Sequence, residues 1–326
     1  MDVLETIRSY GIIPVLGLKN PGTAQQLADA LSRGGLPLVE VTLRNQGALE
    51  CIKAIKSNNK SMLVGAGTVL SCEQVDLAKE AGVDFIVTPG FNPKVVKYCL
   101  TLGLPVTPGC TTPSEIEIGL ELGLSTFKFF PAEALGGLEM IQQLCGPYQN
   151  VHFICTGGMN FNNIGRYLAN DKIVAVGGSF VAPNPMIDAC DWTEITALCE
   201  KAINISLGFS IAHIGLNGTN KEEGLMTAKW FADRFGFPVK IGEQSNFAGT
   251  AVECGNTKFP GKYGHIGFFT NSPERAVAYF ARNGVPLRDE FKSVDANGNI
   301  IAVYLAEEIG GFAVHIVKNK NTGRGD

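Results

Sequence analysis

The feature that most restricts this chain is a rhythm. Eight short, largely β-branched runs recur at spacings of roughly 20 to 26 residues through residues 1–206, with helical stretches between them. The runs are Ile12–Leu16, Leu38–Thr42, Met62–Val64, Phe85–Val87, Leu104–Val106, Thr126–Phe129, Phe153–Cys155 and Ile173–Val176. Amphipathic segments such as Ala24–Arg33 and Glu73–Ala81 separate them, and several end at a glycine (Gly34, Gly82, Gly103, Gly123), the signal for a helix C-cap. Eight strand–helix units in about 200 residues predict a compact parallel (β/α)8 TIM barrel; an open doubly wound sheet is the alternative. A lead-in helix over Asp2–Ser9 precedes the first strand.

The rhythm stops near Ser206–Gly208. Residues 211–318 carry an internal repeat instead. Ala212-His213-Ile214-Gly215-Leu216 opens the first copy, and Gly264-His265-Ile266-Gly267-Phe268 opens the second 52 residues later. Each opening is followed by an aromatic-bearing helical segment (Ala228–Ala232, Val277–Ala281), then a glycine and a proline. Each copy closes on a β-rich stretch, Thr250–Glu253 or Phe312–Ile316. Two βαβββ modules, forming a smaller α+β domain, explain this better than a continued barrel. Residues 319–326 are polar and glycine-rich and read as a flexible tail.

Composition narrows the function classes. Apolar residues are 45% and charged residues 18%, so disorder is excluded as the main state. A formal net charge of −4 gives no bulk attraction to nucleic acid or anionic lipid. No apolar run reaches the roughly 20 residues of a membrane helix, and Met1–Arg8 is too charged for a signal peptide. The nine cysteines contain no Cys-x-x-Cys pair and read as reduced thiols of a cytoplasmic protein.

In such a barrel, chemistry gathers at the C-terminal ends of the strands. The second run continues as Val39-Glu40-Val41-Thr42-Leu43-Arg44, and alternation puts Glu40, Thr42 and Arg44 on one face. An acid and an arginine facing a barrel mouth serve either chemistry or a buried structural ion pair. The sixth run is Thr126-Phe127-Lys128-Phe129-Phe130-Pro131. Burial disfavours the ammonium form of a lysine, and a neutral amine can attack a ketone to form a Schiff base. The other reading of Lys128 is a side chain snorkelling to the rim. Two glycine turns follow the seventh and eighth runs, Thr156-Gly157-Gly158 and Gly177-Gly178-Ser179; bare backbone ahead of a helix N-terminus suits an anion, and phosphate often binds there in barrels.

With these segments together, residues 1–206 resemble the bacterial 2-keto-3-deoxy-6-phosphogluconate (KDPG) aldolases, which overlap with the 4-hydroxy-2-oxoglutarate (KHG) aldolases. The resemblance runs in order through Val39–Arg44, Val64–Leu70, Thr88-Pro89-Gly90, Pro108-Gly109, Phe127–Glu133, Thr156–Gly158 and Gly177–Ser179. It implies a class I aldolase with Lys128 as Schiff-base lysine and Glu40 as acid and base. It implies Arg44 and Thr68 on the pyruvate carboxylate, and Pro89 and Phe130 shaping the pocket. Thr156, Gly157, Gly158, Gly178 and Ser179 would complete substrate binding, with phosphate at the glycine turns. It also implies no metal in this half, and a homotrimer. The substrate would be KDPG, split to pyruvate and glyceraldehyde 3-phosphate, or 4-hydroxy-2-oxoglutarate, split to pyruvate and glyoxylate. The 6-phosphogalactonate aldolases share the barrel and its lysine, so the sugar stereochemistry stays open.

Three of the four histidines fall in the repeat. His213 and His265 occupy equivalent places on the two opening strands. His315 lies on the last strand of the second module, and its counterpart in the first is Glu253. The remaining one, His152, begins a barrel strand and reads as structural or solvent-facing. Paired βαβββ modules of this kind resemble the vicinal oxygen chelate superfamily, which includes glyoxalase I and the bleomycin-resistance proteins. That resemblance implies a divalent metal held by His213, Glu253, His265 and His315. Three imidazoles and a carboxylate suit zinc, nickel, iron or manganese. The superfamily usually has glutamate where His315 stands, which leaves metal and chemistry open. The second domain is then a metal-dependent lyase, isomerase or dioxygenase, or else a metal-free sensor or assembly module.

Overall fold

A computed structural model describes residues 2–319. The expected tail, residues 319–326, lies outside the described residues except for Asn319. The described residues divide after Ser206 into two compact units.

The first unit begins with α1 (Val3–Tyr10), capped by Asp2, and then alternates strand and helix. The elements are β1 (Ile12–Leu16), α2 (Pro21–Arg33), β2 (Leu38–Thr42), α3 (Ala48–Asn58), β3 (Leu63–Gly67), α4 (Cys72–Glu80), β4 (Phe85–Val87) and α5 (Pro93–Thr101). They continue as β5 (Val106–Thr107), α6 (Pro113–Glu121), β6 (Thr126–Phe129), α7 (Gly137–Cys145), β7 (His152–Thr156), α8 (Ile164–Leu168), β8 (Ile173–Gly178), α9 (Asn184–Asp188) and α10 (Trp192–Leu207). The helices start where the sequence supplies caps. Asn20 accepts from Gly22 N ahead of Pro21 in α2, and Thr112 with Glu115 makes a reciprocal capping box in α6. Ala24, Leu27, Ala28 and Leu31 form the buried stripe of α2.

All eight strands are parallel, in the order β5-β4-β3-β2-β1-β8-β7-β6. The two end strands meet through one parallel bridge, Gly109 to Lys128, with Lys128 N donating to Pro108 O (2.8 Å) and Cys110 N donating to Lys128 O (2.9 Å). The sheet is therefore a nearly closed barrel and not an open doubly wound sheet, and its seam closes at Lys128. Residues on both faces of the strands are buried, as a sheet enclosed by helices requires.

Two departures from the sequence reading bear on the site. β3 runs to Gly67, beyond the apolar Met62–Val64 run, because glycines continue the strand where no side chain fits. A Cβ at Gly65 would meet the Phe85 ring at 2.3 Å, and one at Gly67 would meet Glu40 Oε1 at 2.1 Å. β2 ends at Thr42, so Arg44 stands in the following turn, exposed, and not on the strand face.

The second unit contains β9 (Ser210–Leu216), α11 (Lys221–Phe235), β10 (Val239–Ile241), β11 (Ser245–Ala248) and β12 (Val252–Gly255). A second set follows: β13 (Gly264–Thr270), α12 (Pro273–Arg282), β14 (Leu287–Val294), β15 (Ile300–Ile309) and β16 (Phe312–Lys318). Each set is a βαβββ module. They form one eight-stranded sheet, β10-β11-β12-β9-β13-β16-β15-β14. In each half the opening strand lies parallel to the closing strand, β9 with β12 and β13 with β16, and the two opening strands meet antiparallel at the centre. The sequence repeat is thus a structural repeat. α11 packs on β11 and β12, and α12 on β15 and β16.

Candidate functional site

The barrel mouth holds a buried ion pair. Lys128 is 7% exposed and Glu40 is 1% exposed; Lys128 Nζ lies 3.2 Å from Glu40 Oε1. β2 and β6 deliver these side chains to the interior because strand alternation sends their neighbours outward. Phe127 packs toward α6, where a Cβ at Gly119 would touch its ring, and Phe129 stacks edge-on with Phe153 at 6.0 Å. These two phenylalanines face away from the amine. The barrel interior buries Lys128, and the Phe130 ring lies over it, 5.6 Å from Nζ. The alternative of a snorkelling lysine does not hold, and neither does a structural pair between Glu40 and Arg44. Arg44 Nε instead donates to Thr42 Oγ1 (3.3 Å), and Thr42 in turn donates to Leu16 O (3.2 Å).

A cavity of about 270 Å3 opens over this pair. Lys128, Glu40, Arg44, Thr68, Pro89, Phe130, Thr156, Gly157, Gly158, Gly178 and Ser179 all line it. Val15, Thr42, Met159 and Gly177 line it as well. Of these, Thr42 carried a sequence signal through its alternation with Glu40 and Gly177 through its glycine turn; Val15 and Met159 carried none for a site. A second cavity of similar volume is lined by Lys19, Asn20, Asn45 and Asp188 among others, but has no buried amine–carboxylate pair. Chemistry, not size, distinguishes the two. Thr68 holds a left-handed backbone (φ 57°), a conformation a β-branched residue adopts only where its surroundings impose it. Thr156 Oγ1 is buried with no hydrogen-bond partner, so a polar group faces the cavity unsatisfied.

The turn after β7 is built for close backbone approach. Gly157 (φ 90°) and Gly158 (φ 84°) are both left-handed, and side chains there would strike Pro131 and Glu133. Their carbonyls are tied back: Gly157 O accepts from Glu133 N (3.2 Å), and Gly158 O accepts from Asn160 Nδ2 (3.1 Å) and Asn163 Nδ2 (3.0 Å).

In the second unit the register gathers the four singled-out residues on one face of the sheet. His213 Nε2 lies 3.1 Å from His265 Nε2, from His315 Nε2 and from Glu253 Oε2; His265 Nε2 lies 3.2 Å from that same oxygen. The repeated His-Ile-Gly explains how. Gly267 pairs with His213 and also with His315, and His265 pairs with Gly215. A Cβ at Gly267 would meet His213 Cε1 at 2.6 Å, and one at Gly215 would meet His265 Cε1 at 2.0 Å. Each module's glycine clears space for the other module's imidazole.

The donor set fits a metal. Ligand atoms about 2.0–2.1 Å from a tetrahedral ion stand roughly 3.3–3.4 Å apart, close to the four separations above, and the donor atoms of the three imidazoles all lie within 4.8 Å of one another. Burial, then the neighbouring imidazoles, pushes His315 down to about 3, so its ring is neutral and able to coordinate near neutral pH. Burial alone would raise Glu253, but hydrogen bonds with His213, His265 and Ser245 hold it well below the usual carboxylate range. Tyr304 stacks on His315 at 4.8 Å and is pushed up to about 12 by burial and by Glu253. His265 Nδ1 and His315 Nδ1 are buried without a hydrogen-bond partner, so both rings lack the acceptor that usually orients a ligating histidine. His152, half-exposed at the start of β7, stands apart from either cluster.

Comparison with known proteins bears on the barrel. The family model "Aldolase: KDPG and KHG aldolase" matches residues 3–198. A 2-dehydro-3-deoxy-phosphogluconate aldolase of Haemophilus influenzae is 46% identical over 204 residues, covering 63% of this chain and 96% of that one. A KHG/KDPG aldolase of Escherichia coli K12 is 38% identical over 200 residues, covering 61% and 94%. Among solved structures, a KDPG aldolase from Legionella pneumophila, with pyruvate captured as a covalent carbinolamine intermediate, superposes with a TM-score of 0.60 at 34% identity. It covers 62% of this chain and 98% of its own. The buried amine–carboxylate pair at a parallel barrel mouth and these matches lead to one assignment: the chain belongs to the KDPG and KHG aldolase family.

Proposed function

We propose that the barrel is a class I aldolase that cleaves 2-keto-3-deoxy-6-phosphogluconate to pyruvate and glyceraldehyde 3-phosphate, and that it also acts on 4-hydroxy-2-oxoglutarate. The observation that carries this reading is the 3.2 Å contact between Lys128 Nζ and Glu40 Oε1, both buried at the floor of a polar cavity. Moving one proton from the amine to the carboxylate yields a neutral nucleophile and a neutral acid, the two forms the first steps need. Lys128 attacks the C2 carbonyl, and the resulting carbinolamine loses its hydroxyl as water with a proton from Glu40. The iminium then accepts the electron pair of the C3–C4 bond as the Glu40 carboxylate takes the proton of the C4 hydroxyl and the aldehyde leaves. Glu40 returns a proton to C3 of the enamine, and water releases pyruvate from Lys128. The iminium is the electron sink, so no step calls for a metal.

Arg44 and Thr68 hold the pyruvate carboxylate, with Thr42 fixing the Arg44 guanidinium. Pro89 and Phe130 shape the pocket over the amine. Thr156, Gly157, Gly158, Gly178 and Ser179 receive the far end of the substrate. The tied-back carbonyls of the first glycine turn leave its amides to serve the phosphate. The assembly is a homotrimer in the reducing cytoplasm; the described cysteines are all unpaired, and no helix among the described residues is long and apolar enough to cross a membrane.

The second unit, residues 211–318, is a vicinal-oxygen-chelate-like domain in which His213, Glu253, His265 and His315 hold one divalent transition metal. The glycine-cleared convergence of four ligand atoms supports this. Such an ion acts as a Lewis acid toward a bound oxygen ligand. A panel of phosphorylated and unphosphorylated 2-keto acids, both sugar epimers included, assayed on the full-length chain with and without chelator, tests the aldolase reading and its independence of the second unit's metal. Cleavage of the gluconate epimer that survives chelation supports the reading. Preference for the galactonate epimer corrects the substrate, and loss of cleavage on chelation, restored by metal, contradicts the mechanism.

A further inference from the structure

Glu133 does not line the cavity, yet it is built into the wall behind the phosphate turn. It follows the lysine strand by way of Phe130-Pro131-Ala132. Its amide and that of Ala132 bond to the carbonyls of Gly157 (3.2 Å) and Thr156 (2.8 Å). Its side chain packs directly against Gly158, where an added Cβ would lie 2.7 Å from Glu133 Cβ and Cγ. Its carboxylate, on an otherwise exposed residue, accepts a hydrogen bond from the phenol of Tyr167, which is fully buried in α8. Gly137 carries no side chain where these two meet: a Cβ there would stand 2.7 Å from the Tyr167 oxygen and 3.2 Å from Glu133 Oε1. The buried phenol needs a polar partner, but any acceptor, water included, would satisfy it. The particular partner chosen is the side chain whose stem supports the turn.

We propose that Glu133 is a positioning residue. Pinned by Tyr167, it holds the Gly157–Gly158 turn in the shape that receives the substrate phosphate, and so sets affinity for the phosphorylated substrate without touching it. The inference rests on the reading of the glycine turns as the phosphate site. It also ties that site to the strand bearing Lys128, because one short segment, residues 130–133, leaves the lysine strand and braces the turn.

The test uses full-length Tyr167→Phe, Glu133→Gln and Glu133→Ala, with Ser179→Ala as reference for the phosphate site itself. KM and kcat are measured for the phosphorylated sugar acid. The pyruvate concentration that half-saturates borohydride trapping reports on the lysine without the phosphate. Tyr167→Phe and Glu133→Ala should raise KM for the phosphorylated substrate about tenfold, the equilibrium effect of losing one hydrogen bond to a charged group. Half-saturation by pyruvate should stay within about twofold. Glu133→Gln, which keeps the stem and an acceptor oxygen, should stay close to the parent. If Tyr167→Phe does not fold, the Glu133 pair carries the comparison, since that side chain is exposed. Ser179→Ala raising KM while the Glu133 and Tyr167 variants do not would overturn the brace and leave the phosphate site standing. No change in any of the four would overturn both. Equal losses toward pyruvate and the phosphorylated substrate would reduce the pair to a general structural role.

Discussion

Replacing Gly67 by alanine should silence the barrel without unfolding it. Gly67 ends β3 beside Glu40, and its backbone is one that any residue adopts, so the only obstacle to a methyl group is space. The new Cβ would stand 2.1 Å from Glu40 Oε1 and 2.8 Å from Cδ and Cγ. Relaxed contacts lie near 3.5 Å, so the carboxylate must retreat by about an ångström or more. Glu40 is 1% exposed, and the room left to its carboxylate is the cavity it lines with Lys128; its present contact with Lys128 Nζ is 3.2 Å, and a shift of that size away from the amine takes it out of hydrogen-bond range. Overpacking of this kind costs about 1–3 kcal/mol, less than the roughly 5–15 kcal/mol that keeps a domain folded. The catalytic effect is larger, because general acid–base catalysis is worth about 10²–10⁴ in rate. Aldehyde release from the phosphorylated substrate should therefore fall at least a hundredfold in kcat, while circular dichroism and the melting transition show a folded barrel. A folded Gly67→Ala protein with kcat within about threefold of the parent would refute this reasoning: either the carboxylate keeps its place beside Lys128 or the reaction does not need it there.

Glu40→Gln, which keeps the size and removes the base, should lower kcat by roughly two to four orders of magnitude in the same assay. Arg44→Lys should chiefly raise KM for pyruvate in the condensation direction, because a point charge replaces a fork that grips a carboxylate at two points; an unchanged KM would remove Arg44 from carboxylate binding. Bulk at Gly178, where a Cβ would already meet Phe180 at 2.9 Å, should depress activity on the phosphorylated sugar acid more than on 4-hydroxy-2-oxoglutarate; equal losses would mean that the turn serves the fold. Gly267→Ala should abolish metal binding in the second unit, since the methyl group would strike His213 at 2.6 Å and His315 at 2.7 Å, while aldol cleavage continues. Elemental analysis of the parent grown with ample metal should show about one ion per chain, and a metal-free parent would contradict the metal site outright.

The barrel was legible because its strands and caps obey local rules. β1 and β4 coincide with their apolar runs, and Asp2, Asn20 and Thr112 cap the helices they precede. What local rules could not supply was pairing. The full extent of β3 depends on Gly65 and Gly67, which break the apolar pattern and exist because Phe85 and Glu40 fill their space from neighbouring strands. Arg44 read as part of a strand because alternation carries no information about where a strand stops, and the chain turns after Thr42. Lys128 read as a lysine among phenylalanines, whereas Phe127 and Phe129 pack on the outer layer and the burial comes from the barrel interior. The bracing pair Glu133–Tyr167 joins residues 34 apart and left no periodic trace. The histidine cluster was legible for the opposite reason. A repeat superimposes equivalent strands, so scarce residues at equivalent places converge once the modules pair, and the glycine two residues after each opening histidine records the space its partner needs.

The central claim is that the Lys128 amine becomes covalently bonded to the substrate carbon. The most direct measurement is reduction with borohydride in the presence of pyruvate, followed by mass mapping of the modified peptide. The account predicts one pyruvyl-derived adduct per chain, on the peptide that carries Lys128, with activity lost in proportion to labelling and no adduct in Lys128→Arg, whose guanidinium stays protonated and cannot attack. An adduct on another lysine, or an active preparation that takes up none, would contradict it.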